Sequence, residues 1–109
     1  MNYNQTIIDA LENLGVPVAF QAYTGTAQTY ITFFCYNEQG EEWAEDAEIA
    51  TGYYIQVNLW SKSDYTTLAG QVKDAMIAAG FARTGSQDLY EPETKIYHKA
   101  LRFVCVAAN

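Results

Sequence analysis

The chain has 109 residues, half of them hydrophobic, and carries 13 Asp and Glu against 6 Lys and Arg, for a net charge of −7. That length supports one core and excludes two ordinary domains. The acidic balance excludes a grip on nucleic acid, because phosphate binding needs a basic stripe and the cations here are dispersed. With no run of about eighteen apolar residues and no charged leader before an apolar core, neither a membrane span nor a signal peptide is expected, and synthesis in the cytoplasm follows.

The first predicted element is a short helix capped by Asn4 or Thr6, with Ile7, Ile8, Leu11 and Leu14 as its apolar stripe. Gly15 and Pro17 end it. Residues 18–23 read as a short strand with Val18, Phe20 and Ala22 on one side, and Thr24-Gly25-Thr26 supplies a turn. Residues 30–36 read as a stronger strand, apolar and aromatic on both faces, as in a central strand or one whose second face meets another subunit. Composition then shifts. Glu38, Glu41, Glu42, Glu45, Asp46 and Glu48 fall within eleven residues, with Trp43 among them, Gly40 as a hinge and no basic residue to offset them.

From Tyr53 onward the pattern is regular. Ile55, Val57 and Leu59 share one face of a strand, and Gln56 and Asn58 the other. One face is core and the other meets water or a partner. Ser61-Lys62-Ser63-Asp64 is rich in cap residues and precedes a helix with Leu68, Val72, Met76 and Ala79 in a stripe, stopped by Gly80. Residues 81–90 and 96–106 are predicted strands joined by the turn Glu91-Pro92-Glu93-Thr94. The order helix, three strands, helix, two strands defines an α+β domain over residues 1–109, a mainly antiparallel sheet with both helices on one face.

Reactive chemistry is sparse. Cys35 and Cys105 lack the spacing of a zinc or thioredoxin motif, and buried free thiols are expected. The acidic segment lacks the register of a calcium loop, and scattered glutamates without histidine make a poor transition-metal site. His98 is the single histidine, without a nucleophile partner, and the isolated glycines form no phosphate-cradling loop. No catalytic residue, cofactor or metal is therefore expected. Alternation puts His98, Ala100, Arg102 and Val104 on one face of the last strand. The pairing of His98 with Arg102 is read either as a polar patch on an open sheet face or as a docking face, with Arg102 meeting a carboxylate of the acidic segment of a neighbour.

Tyr54-Ile55-Gln56-Val57-Asn58-Leu59-Trp60-Ser61-Lys62, the helix after it, Gly80-Phe81, Asp88-Leu89-Tyr90-Glu91 and Ile96-Tyr97-His98-Lys99-Ala100-Leu101-Arg102-Phe103 resemble the tail completion or tail terminator proteins of long-tailed bacteriophages and prophages. The likeness covers the C-terminal half closely and the N-terminal half by element order. It implies a non-enzymatic virion protein at the head-tail junction that assembles as a ring, usually hexameric, on the head-proximal end of the tail tube. Its partners would be itself, the tail tube protein and the head-tail connector, with no specific nucleic-acid or membrane contact.

In that setting the acidic segment is either a solvated loop or an extended hairpin that lines the channel or reaches the adjacent subunit. Glu41, Glu42, Trp43, Glu45, Asp46, Glu48, Trp60, His98 and Arg102 are then the candidate interface or lumen residues. A head-closure or adaptor protein is a neighbouring reading. An acidic immunity protein or DNA mimic that covers a basic partner is the competing one, and an enzyme is a third.

Overall fold

The computed structural model describes residues 2–109. Helix α1 (Tyr3–Leu11) is capped one turn earlier than expected, by Asn2, whose side chain accepts from the Gln5 N–H at 3.1 Å. The Thr6 hydroxyl points back to the Asn2 carbonyl at 3.1 Å, so it supports the first turn without capping it. A 3-10 turn (Glu12–Leu14) and Gly15 at φ 85° end the segment. Strand β1 (Val18–Phe20) is half the expected length because Gln21 takes a φ of 63°, which no strand accommodates.

The remaining elements are β2 (Thr29–Ala44), β3 (Ala47–Ser61), α2 (Thr66–Ala78), β4 (Ala82–Glu91) and β5 (Ile96–Ala108). They form the α-β-β-β-α-β-β order that the sequence predicts. The sheet runs β1-β2-β3-β5-β4; β1 and β2 are parallel and every other pair is antiparallel. The α+β class stands, with one short parallel pair added at an edge.

One face of the sheet makes the core. Phe33 lies opposite Val57 and Val57 opposite Leu101, so a single apolar row crosses three strands; Ile31, Ile55, Leu59 and Phe103 flank it. Ile7 and Leu11 of α1, Val72 and Met76 of α2, and Phe81 close over that row, all essentially inaccessible. Each such side chain contributes about 1.5–3 kcal/mol of burial.

Both ends of α2 are built from the residues that marked it in the sequence. Asp64 accepts from the Thr66 N–H at 2.9 Å and from its hydroxyl at 2.6 Å. At the other end Gly80 sits at φ 102°, its N–H bonded to the Ile77 carbonyl and that of Phe81 to the Met76 carbonyl, both at 3.0 Å. This is a Schellman arrangement, and it drops Phe81 into the core beside Met76. Cys35 and Cys105 are half-buried rather than buried, and they form no disulfide. They flank β3, opposite Ile55 and Tyr53 respectively.

Candidate functional site

The acidic segment is neither a loop nor mobile coil. Strands β2 and β3 run 16 and 15 residues, far past the predicted ends at Tyr36 and Tyr53, and pair down to Ala44 opposite Ala47. Glutamate and glycine are weak strand formers alone. Here they are held by pairing with β3, which β5 backs in turn as far as Ala50. β1 covers β2 only at Ile31 to Phe33, so from Phe34 on the outer edge of β2 carries no neighbour. The result is an arm. At ~3.3 Å per residue β2 alone spans about 50 Å, and the molecule measures 52 × 27 × 24 Å.

Three register breaks, between Cys35 and Asn37, Gly40 and Glu42, and Glu42 and Trp43, twist the arm. Glu45 and Asp46 at φ 51° and 66° form its tip, the geometry of a two-residue type I′ turn. Glu42, Glu45 and Asp46 are exposed. Trp43 is 62% exposed although its ring lies over Gly40, where an added Cβ would come within 2.7 Å of the indole. Glu41 and Glu48 have work inside the arm. Glu41 accepts from the Tyr54 hydroxyl and from Gln39 at 3.1 Å, and that bond raises the Tyr54 pKa. Glu48 accepts from Thr51 at 2.6 Å and Asn109 at 3.1 Å, which hold its carboxyl below the usual range.

The second surface is the sheet face away from the helices. Trp60 and His98 face each other across β3 and β5 and stack, with ring centroids 3.9 Å apart; Tyr30 lies 6.1 Å beyond Trp60, and Tyr23 stacks on Tyr30 at 4.4 Å. The Trp60 indole donates to the Thr32 hydroxyl at 2.9 Å. Asn58 Oδ1 receives both Gln56 Nε2 at 2.7 Å and His98 Nε2 at 2.8 Å, so the neutral imidazole carries its proton on Nε2. Arg102 Nε donates to Gln56 Oε1 at 3.1 Å, and its guanidinium lies 4.7 Å over the Tyr36 ring. His98 and Arg102 therefore do share a face, joined through Gln56 and Asn58. His98 is only 9% exposed, and burial, opposed weakly by Glu91, lowers its pKa. Arg102 is exposed and meets an amide and a ring within its own chain.

The structure thus sorts the nine candidate residues into two groups. Glu41, Glu42, Trp43, Glu45, Asp46 and Glu48 are on the arm, and Trp60, His98 and Arg102 are on the helix-free face. Tyr30, Tyr36, Asn58 and Gln56 join the second group, although sequence reading had not placed them beside Trp60, His98 and Arg102. The signal was present for two of them, since Gln56 and Asn58 alternate with the core residues of β3 and so stand on the Trp60 side.

Charge is divided just as sharply. All six Lys and Arg lie at Lys62 or later, giving residues 1–61 a net −8 and residues 62–109 a net +1, together the −7 of the chain. Among the described residues no group of three or more His, Cys, Asp and Glu is placed to hold a metal ion. No helix among them is long and apolar enough to cross a membrane.

The chain is thus a small α+β domain that projects an acidic arm and presents an aromatic sheet face. Residues 10–107 match the model of the family described as Tail completion protein gp17, and the chain belongs to that family. Its role is accordingly that of a structural protein of the phage tail. The match extends the likeness across α2, every strand and the end of α1. No curated protein matches the chain.

Proposed function

We propose that the chain terminates the phage tail: copies close into a ring, with six the expected number, on the head-proximal end of the tube, stop its growth and offer the head connector a new surface. A closed ring is built from heterologous contacts, and these require two unlike patches on each subunit. The observation that carries the reading is family membership together with unlike surfaces on one small domain, among them the acidic arm and the aromatic face of Trp60, His98 and Arg102, for use by a neighbour, the tube or the connector. The mechanism is steric and geometric. The ring satisfies the last tube interface, and the next tube subunit finds no matching surface. Carboxylates that face the channel would repel DNA and let it pass without sticking.

Light scattering coupled to size exclusion over a concentration series, with negative-stain images of any large species, tests the ring. Adding the protein to growing tail tubes of the phage or prophage that encodes it tests the termination. Tubes that keep lengthening at saturating protein refute the reading. The clustering of exposed carboxylates on a projecting arm favours one other function, an acidic inhibitor of a basic protein. That reading requires a monomer whose binding to its partner weakens steeply with salt.

A further inference from the structure

On the helix side of the sheet, between α2 and β4, lies a groove of about 390 Å³. Lys73 of α2, Arg83 of β4 and Lys99 of β5 line it, half of the basic residues of this acidic chain. Its one acid, Asp88, is already engaged, accepting from Lys99 at 3.1 Å and from the Tyr65 hydroxyl at 2.8 Å, which together hold its carboxyl below the usual range. Among the described residues that is the only ion pair, so Lys73 and Arg83 are left without a carboxylate. The edge of β4 that borders the groove carries no further strand.

Gly70 gives a second, independent sign of an occupant. It lies inside α2 and lines the groove, and a Cβ added there meets nothing within 4 Å. Glycine within a helix costs about 0.5–1 kcal/mol relative to alanine, and nothing inside the subunit requires it. The bare backbone leaves room for something that approaches from outside.

We infer that the groove is the seat for the tip of the acidic arm of a second copy, with Glu42, Glu45 and Asp46 against Lys73 and Arg83 and Trp43 laid over Gly70. The charges complement each other, and the contact is head to tail, as a ring requires. The reach fits as well. Residues 37–44 extend about 26 Å at ~3.3 Å per residue, close to the 24–27 Å width of the molecule. This assignment rests on the ring reading and names its two patches: the arm engages the cationic groove, not the Arg102 face, which stays free for the tube or the connector.

The test uses the full chain with Cys35→Ala and Cys105→Ala, carrying Gly70→Cys and Asp46→Cys together. Mild oxidation at high protein concentration, or on tail tubes, gives a ladder of disulfide-linked oligomers ending at the closed ring. Lys73→Glu with Arg83→Glu weakens association at least tenfold, and mixing that chain with one bearing Glu42→Lys and Glu45→Lys restores it. In the native background Gly70→Ala raises the melting temperature yet weakens association, a split that a purely structural glycine does not produce. Oligomers that form without cross-links and ignore charge reversal overturn the arm-in-groove contact and leave the ring standing. A chain that neither associates nor binds tubes overturns both.

Discussion

Trp60→Ala is the sharpest probe of the helix-free face. The indole stacks on His98 and Tyr30 and is the hydrogen-bond partner of Thr32, a side chain only 4% exposed. Each ring pair contributes about 0.5–1.5 kcal/mol, and leaving the Thr32 hydroxyl without a partner costs about 1–3 kcal/mol. A loss of about 3 kcal/mol follows, read in urea unfolding followed by circular dichroism. In a chain of this size that lowers the melting temperature by roughly 12 °C.

The same substitution carries a pH signature. Burial lowers the His98 pKa from 6.5, so as pH falls through 6.5 the unfolded chain takes a proton that the folded chain refuses. Stability therefore declines from 6.5 down to the folded value and is unaffected above 6.5. Glu48, Asp64 and Asp88, with folded pKa values below their usual 3.8 to 4.5, lose their contributions only as pH falls through that range, so the decline that sets in at 6.5 belongs to His98. Trp60→Ala uncovers the imidazole and flattens the limb that begins at pH 6.5. A loss under ~1 kcal/mol, or a limb of unchanged slope, would refute the account of Trp60 as the lid on His98 and Thr32.

Met76→Ala opens the core between α2 and the sheet and should cost about 2–5 kcal/mol in the same unfolding assay; its side chain is fully buried. Asp46→Gly relieves one of the two positive-φ residues at the arm tip and should raise the melting temperature by a few degrees, because glycine suits the second position of a type I′ turn. Thr51→Val removes the larger of the two bonds that hold the Glu48 carboxyl low, and NMR titration should find its pKa shifted upward toward 4.5. In a Trp60→Phe chain the remaining Trp43 should emit as a water-exposed indole in the monomer and shift to shorter wavelength when the arm is seated.

Where one pattern had one physical solution, the fold was legible. Ile55, Val57 and Leu59 could share a face only in a strand, and Asp64 and Gly80 bracket α2 with residues whose side chain or φ suits a helix end. The arm was legible only as one of two alternatives, a solvated loop or the extended hairpin that it is, because Glu41, Glu42 and Gly40 carry no alternation, and its geometry is set by pairing with β3 and by bulges that break any period. Asn2 escaped notice since Asn4 and Thr6 offered equal caps, and only the onset of the helix decides among them. For the site, the acidic residues and the His98 and Arg102 pairing were visible as patterns. The cationic groove was not, because Lys73, Arg83 and Lys99 lie on three elements that only the tertiary fold brings together.

The concentration of carboxylates on the arm also governs how the molecule meets others before any contact is made. β3 runs away from the arm tip, so its last residue and the β4–β5 turn stand at the opposite end, where Lys62 and Lys95 are mixed with Asp64, Glu91 and Glu93. The carboxylates of the arm have no such counterweight, so an approaching basic partner is drawn toward the arm. Orientation is thus selected during diffusion, and ionic strength becomes a control on the rate of productive encounters more than on the strength of the finished contact.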